Sequence, residues 1–584
     1  MANGSIRCFY LRLAWGNVKR SREIYLPYAL ATAIMAGVYF LILALMYSPG
    51  LANVPGGETT RMMFMMGITV FTLFVFGFMM YINGFLMKRR KKEFGLYGVL
   101  GLEKRHVCRV LCWENAMVIG IGVVTGVALG MVLGRLLFMV LLNLIRAAGD
   151  STFVIPPVAY CGTALLFFTV FVAASLFNSV KVRLARTVEL LKGDQRGEKT
   201  PKTVLPGAIL GFVLLASAYY TALTVQNMAL ALALFFLAVL VVIVATYLLF
   251  HAGSIAVLRG LRKNRRIYYQ RENFVAISGM FHRMRQNASG LATICILSTM
   301  LMVTVSGTVA LYAGQQEIAR ALNPMDVYFS PHLEEGQQLN ATQLLDFDEE
   351  IAALAAQYGV RVEADESALY YYDPTQQALG EYNYRQNYTW VTSEDEVEQL
   401  PHCLRINQIL AFNLKGDEDA CEMVAAQTEE VGQRVFQVSG YRMGNIYEYW
   451  KTSFPIFGGL LFLGAFFAVL FLAITVLIIY FKQITEGMED KGRFEILQKV
   501  GMDEDQVKKA INRQILWVFF LPLIAALCHT LVGGVMVTKM MEVFSLYNSA
   551  LTFGCILITC GVFAVVYLLV YRQTARVYYR IVKR

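Results

Sequence analysis

The sequence predicts a polytopic α-helical membrane protein with ten transmembrane helices and one α+β extracellular domain between helices 7 and 8. The 584 residues are 57% hydrophobic and 16% charged, with a mean hydropathy of +0.50, which is not the make-up of a soluble core. A helix needs about 20 apolar residues to span a bilayer. Ten such runs lie near 25–47, 62–87, 114–140, 157–180, 204–222, 228–250, 290–313, 454–481, 515–538 and 551–571. Between the seventh and eighth runs, residues 314–453 are polar and numerous enough to form a domain.

The first run is too long for a removed signal peptide and lacks a small-residue cleavage site, so it reads as a true span with no amino-terminal processing. Orientation follows from where Lys and Arg collect. They crowd residues 1–24, 88–112, 181–202, 251–289 and the tail 572–584, alternating with nearly uncharged loops. Both termini are therefore expected in the cytoplasm and residues 314–453 outside. That insert holds 24 Asp and Glu against 8 Lys and Arg, a net charge of −16, so the rest of the chain carries +26 of the total +10. The basic balance belongs to loops beside anionic lipid head groups and implies no nucleic-acid site.

Within the insert, "VRVEADESALYYYD" and "YNYRQNYTWV" alternate as strands do, and "ACEMVAAQTEEVGQRV" has the period of an amphipathic helix. Cys403 and Cys421 are the two cysteines outside; they either pair in that oxidising compartment or remain thiols. The other eight read as small hydrophobes.

An internal repeat organises the remainder. "KKEFGLYGVLGLEKRHV" (Lys91–Val107) and "KGRFEILQKVGMDEDQV" (Lys491–Val507) stand 400 residues apart, matching Phe94 with Phe494, Gly101 with Gly501 and Val107 with Val507. The register continues into the next span, where Gly126, Gly130 and Gly134 meet Ala526, Thr530 and Gly534. Small residues four apart let helix backbones approach closely in lipid, which marks these six as packing positions. Each elbow carries an apolar stripe, Phe94, Tyr97 and Leu100 in one copy and Phe494, Leu497 and Val500 in the other. Gly101 and Gly501 suit a left-handed helix terminus. Asp503 with Gln506 fits a capping box for the following helix, and Glu103 is a weaker cap. Such a helix is either a lid lying on the bilayer or a docking helix for a cytoplasmic partner.

The pattern G-x-x-x-x-G-K-[ST] is absent, so the chain has no phosphate-binding loop of that kind. Its spans are also almost free of carboxylates, with Glu114 at a cytoplasmic end, which argues against ion coupling. Energy is then expected from an ATPase docked at the two elbows. No metal site is read, because His332 and His402 lie far apart. Arg135 either holds a lipid pyrophosphate or snorkels. His529 is a packing residue or a proton relay, and the former is the simpler reading. The aromatic cluster containing Tyr371, Tyr384 and Trp390 either cradles an amphipathic peptide or builds the core of the insert.

"RRIYYQRENFVAISGMFHRMRQNASGLATICILSTM" (Arg265–Met300) and "TVELLKGDQRGEKTPK" (Thr187–Lys202) resemble the permease subunits of Bce-type peptide-detoxification ABC transporters. These form the bacitracin and lantibiotic resistance branch of the FtsX-like, type VII superfamily. The likeness covers essentially the whole chain, although the insert is shorter than is usual there. It implies a first FtsX-like four-helix unit at 25–180, a linker with helices 5 and 6 at 181–250, and a cytoplasmic segment with helix 7 at 251–313. Helices 8–10 of the second unit follow at 454–571. It further implies no cofactor in this chain, with ATP and Mg on two copies of an ATP-binding subunit whose coupling helices are the elbows at 88–112 and 485–512. Members free lipid II cycle intermediates from antimicrobial peptides at the outer face of a Gram-positive plasma membrane, or remove the peptides. They also form sensory complexes with a histidine kinase. The alternative is an FtsX-like signalling or cell-division regulator that moves its outer domain and transports nothing. A lipoprotein-releasing or macrolide-type exporter would have four spans, and an intramembrane enzyme would need paired catalytic residues that the spans lack.

Overall fold

The computed structural model describes residues 2–147, 152–184, 204–263, 271–323, 325–331, 340–364, 368–372, 388–391, 406–437, 440–499 and 504–583. Among them, ten helices are long and apolar enough to cross a membrane. In lipid a backbone must satisfy its own hydrogen bonds, so apolar runs of this length become helices. The chain divides into two compact units, Met1–Ala310 with Gly458–Met540 and Ser549–Arg584, and Leu311–Phe457 with Met541–Asn548.

The first unit is helical. It begins with α1 (Ala2–Arg20), α2 (Arg22–Met46), the short α3 (Pro49–Ala52), α4 (Gly57–Arg89), α5 (Lys91–Val99), α6 (Lys104–Leu144) and α7 (Pro157–Leu184). Then come α8 (Val204–Thr224), α9 (Met228–Leu248) and α10 (Ser254–Lys263), followed by α11 (Arg271–Ala313). After the second unit the chain continues through α15 (Ile446–Lys499), α16 (Glu504–Met541) and α17 (Ser549–Lys583). The spans differ in enclosure: α2 is 78% buried over its most apolar window, whereas the α9 span is 11% buried.

Two seams hold these helices together. In the first, α6 lays Gly122, Gly126 and Gly130 against α2. A Cβ on Gly126 would lie 2.3 Å from the Ala33 carbonyl oxygen and 2.9 Å from the Gly37 nitrogen, and one on Gly130 would lie 2.6 Å from the Phe40 ring. Gly134 ends the row against the Phe153 ring, 2.8 Å from its Cβ position. In the second seam, α4 meets α15 through aromatic pairs: Phe64–Phe462 at 6.0 Å, Phe71–Phe467 at 5.7 Å, Phe74–Phe471 at 5.1 Å and Phe85–Phe481 at 5.0 Å between ring centroids. These spacings suit tilted and edge-to-face rings.

Several buried polar groups inside the unit bridge helices. Asn83 on α4 and Asn178 on α7 exchange two amide hydrogen bonds, 2.8 and 2.9 Å long. His529 on α16 is buried, with Nδ1 2.5 Å from the Tyr219 hydroxyl of α8 and Nε2 3.0 Å from the Thr246 hydroxyl of α9. It thus ties the α8–α9 hairpin to α16 as a hydrogen-bonded packing residue. In the second copy of the small-residue row, Ala526 and Thr530 are buried, the Thr530 hydroxyl donates to the Ala526 carbonyl at 2.9 Å, and Gly534 faces Ile556.

The second unit has the α+β make-up of a water-soluble domain. Its helices are α12 (Gln315–Leu322), α13 (Ala341–Gln357) and α14 (Glu418–Phe436). Its strands are β1 (Val327–Pro331), β2 (Arg361–Ala364), β3 (Ala368–Tyr372), β4 (Tyr388–Val391), β5 (Ile406–Lys415) and β6 (Tyr441–Asn445). They form an antiparallel sheet in the order β4-β3-β5-β1-β6, with β2 pairing the other end of β5. "VRVEADESALYYYD" therefore contributes two strands, both paired to the long β5, and the amphipathic stretch lies within α14. Phe329, Phe347 and Phe436 stack at the centre, and Gly432 makes room for them: a Cβ there would lie 2.5 Å from the Phe329 ring. Buried Asp326 receives the Leu414 N–H at 2.8 Å and pairs with Arg320 at 2.7 Å. Cys421 is a buried free thiol; Cys403 lies outside the described residues.

If the glycine row carries the α2–α6 packing, Gly126→Ala should cost about 1–3 kcal/mol of stability through overpacking. Gly120→Ala, whose methyl meets nothing within 4 Å, should be neutral or slightly stabilising. Thermal unfolding of the two purified variants in detergent checks this, and equal midpoints would remove the close approach from the account.

Candidate functional site

The first elbow is built from four helices. The chain leaves α4 at Arg90, which has φ −93° and ψ 6° and still closes the last turn, its N–H reaching the Leu86 carbonyl at 3.2 Å. α5 then runs for nine residues. Gly101 ends it at φ +89°, a conformation costly for a residue with a Cβ. The Leu102 N–H reaches back to the Tyr97 carbonyl at 2.9 Å and the Gly101 N–H to the Gly98 carbonyl at 3.3 Å, the paired bonds of a Schellman terminus. α6 begins after Glu103, whose backbone is extended as an N-cap requires. Its carboxylate turns to Arg105 and makes no capping hydrogen bond.

The apolar stripe of α5 is divided between two faces. Phe94 is buried with Met87, Val107, Leu111 and Val182, and Tyr97 and Leu102 pack on the same cluster from the side. Leu100 instead faces out at 70% exposure, beside Leu96 at 52% and Val99 at 63%. The elbow is thus seated on α4, α6 and α7 by one face and presents Leu96, Val99 and Leu100 with the other. The Lys104 ammonium adds a hydrogen bond to the Arg183 carbonyl at 2.8 Å, closing α6 onto the end of α7.

Beneath the elbow lies a buried charge network. Glu114 of α6 accepts from the Asn17 amide of α1 at 2.7 Å and from the Tyr25 hydroxyl of α2 at 2.8 Å, and it pairs with Arg90. Arg90 also reaches Glu93 at 2.7 Å and the Tyr25 hydroxyl, and its guanidinium lies 5.3 Å from the centre of the Phe94 ring. The Tyr97 hydroxyl completes the ring of contacts with a 3.3 Å bond to Asn17. Burial by itself would lower the Arg90 pKa, but Tyr25, Glu114 and Glu93 around it outweigh that and raise it, so the guanidinium stays charged. Sequence reasoning placed Glu114 at a helix end and assigned it no role. The available signal was a lone carboxylate on a 41-residue helix otherwise without Asp or Glu.

The second elbow differs in its backbone. A separate short helix is expected there, but α15 continues unbroken for 54 residues from Ile446 to Lys499, so Phe494 and Leu497 lie on the same helix as the eighth span. In the repeat the positions of Arg90 and Glu114 are occupied by Asp490 and Gln514, so the sequence offers no matching Arg–Glu pair there. Val500, Gly501 and Asp503 lie outside the described residues.

Arg135 is exposed on α6 among Val132, Leu136 and Met139, as a snorkelling side chain would be. Tyr371 pairs in register with Thr389, and Trp390 with Tyr370, so the two stand one register position apart on β3 and β4. Tyr384, His332 and His402 lie outside the described residues. Among the described residues, no group of three His, Cys, Asp or Glu could hold a metal ion.

Comparison with known proteins gives the site its setting. The family model described as FtsX-like permease C-terminal matches twice, at residues 65–184 and 465–576, so its starts stand 400 residues apart in the register of the repeat. The chain is 23% identical to the ABC transporter permease protein YxdM of Bacillus subtilis, over 89% of this chain and 92% of that one. It is 22% identical to the bacitracin export permease protein BceB of the same organism, over 88% and 91% of the two chains. With BceB of Halalkalibacterium halodurans it shares 24% identity over 93% and 97%. Ten apolar spans among the described residues, a family-model match to both copies of the repeat and relatives aligned over most of their length support a Bce-type FtsX-like ABC transporter permease, a multi-pass protein of the plasma membrane.

Proposed function

We propose that this chain is the permease subunit of an ATP-driven system that detoxifies bacitracin-like or lantibiotic-like peptides at the outer membrane leaflet, freeing lipid II cycle intermediates. Two ATP-binding subunits, holding ATP and Mg, dock on the elbows at 88–112 and 485–512. The observation that carries this reading is the braced first elbow, which turns Leu96, Val99 and Leu100 outward from a base seated on three helices. An apolar face on a stiff helix suits a partner groove. The repeat supplies a second elbow at 485–512, which suits a symmetric ATPase dimer. The names of two relatives, bacitracin export permeases, support the substrate class.

In this reading both termini and both elbows are cytoplasmic, which the Lys and Arg distribution supports. The unit at 311–457 is extracellular and meets the peptide, and Tyr371, Tyr384, Trp390 and Arg135 are the contact positions to test. The host is a Gram-positive cell, where the permease also serves a histidine kinase as its peptide sensor. When the ATPase dimer closes, the elbows are drawn together, and α4 and α15, which lead into them, shift along their aromatic seam. The small-residue rows on α6 and α16 carry that motion through the membrane.

Two expectations test this. Leu96→Asp with Leu100→Asp places charge on an exposed face, so membrane levels should persist while co-purification of the ATP-binding subunit falls about tenfold or more, as for loss of an interface anchor. Undiminished co-purification would withdraw the elbow as the docking site. The net −16 of residues 314–453 should also steer cationic peptides. Binding of a cationic lantibiotic to the permease in zwitterionic nanodiscs should then weaken steeply as salt passes about 0.1 M, where the Debye length is about 10 Å. Salt-independent binding removes steering.

A further inference from the structure

Glu114 and Arg90 are almost fully enclosed, at 1% and 2% exposure. Stability alone does not account for them, because a buried ion pair is often no better than apolar residues of the same volume. What distinguishes this pair is where its partners come from. Asn17 is on α1, Tyr25 is at the start of α2, Arg90 is the joint between α4 and α5, and Glu114 is on α6. The joint would otherwise be the weak point of the elbow, since the backbone departs there from the helical path. Tyr97, two turns into α5, bonds to the same Asn17, so the network grips the elbow at both its beginning and its middle.

We propose that Arg90 and Glu114 are positioning residues that make the elbow, α1 and the adjoining turns of α2 and α6 move as one body. This rests on the reading that an ATP-binding subunit docks on the elbow. A push on α5 is then delivered to α2 and α6, the pair sealed by the glycine row, and is not absorbed by bending at Arg90. The second half reaches the same end differently. It has Asp490 and Gln514 at the corresponding positions, and its elbow residues ride on the unbroken α15. One elbow is stiffened by a buried ion pair across a break at Arg90; at the matching position the other runs on within α15.

The test begins with the permease alone. Spin labels at Arg12→Cys on α1 and Leu96→Cys on α5, in a background with the native cysteines replaced by alanine, report the α1–elbow distance in nanodiscs by pulsed dipolar spectroscopy. A single narrow distribution is expected, broadened by Arg90→Met and by Glu114→Gln and narrowed again by Arg90→Lys. In the complex with its ATP-binding subunit and without labels, Arg90→Met and Glu114→Gln should keep co-purification and the KM for ATP unchanged. The permease-dependent stimulation of hydrolysis should fall about tenfold, and Arg90→Lys should restore most of it. Unchanged distributions in both variants, or an Arg90→Lys protein as impaired as Arg90→Met, overturn the proposal. If Arg90→Met does not fold, Glu114→Gln decides, since it keeps the shape of the side chain while removing its charge and one of its two accepting oxygens. Failure of the docking reading looks different: the ATP-binding subunit would still co-purify with the Leu96→Asp, Leu100→Asp protein, whereas the distance measurement needs no partner.

Discussion

In a bilayer there is no hydrophobic force to press one apolar helix on another, so a bundle of this kind depends on how closely its helix backbones can approach. Here that constraint is met where α6 gives up its side chains. Gly126 lies so near Ala33 and Gly37 of α2 that even a methyl group has no room, and the reciprocal position at Gly37 would put a Cβ 3.0 Å from the Gly126 carbonyl oxygen. Dispersion over such a contact replaces what water exclusion does in a soluble core. The α4–α15 seam solves the same problem by the opposite means, filling the gap with phenylalanine rings. A glycine row fixes one separation sharply, whereas tilted rings can slide past one another, so the two seams differ in the motions they allow.

Polar groups inside the bundle follow from the same setting. An unsatisfied amide or carboxylate in hydrocarbon costs several kcal/mol. The Asn83–Asn178 exchange and the doubly bonded His529 ring each answer that cost with a partner from another helix, and by doing so tie helices that are distant in sequence. Arg90 and Glu114 are the charged version, and they sit where a membrane helix gives way to the elbow. The repeat makes the comparison direct: Asp490 stands at the register of Arg90 and Gln514 at that of Glu114, and the backbone differs between the copies.

The second unit obeys the physics of water-soluble domains. Its centre is a buried aromatic cluster around Phe329, covered by α13 and α14, and its buried carboxylate Asp326 is paired and receives a backbone N–H. Its acidity resides at exposed positions such as Glu349, Glu418 and Asp419, where charge is solvated and can act at a distance.

Much of this was legible in the sequence because the signals are local. Run length and composition determine ten spans, since a bilayer imposes one length on all of them. Gly101 at a helix end, the small residues every fourth position and the 400-residue repeat are likewise written along the chain. Which face of α5 turns inward was not, because Phe94 and Leu100 are both apolar and only the packing of Met87, Val107 and Val182 chooses between them. Glu114 was visible as an oddity but not as a centre, because its partners lie 24, 89 and 97 residues away. That α15 runs on where α4 gives way to α5 was not legible either, because both copies carry a similar apolar stripe. Periodicity determines that an element exists and which residues share its face; the distant groups that satisfy a buried charge are decided only when the helices come together.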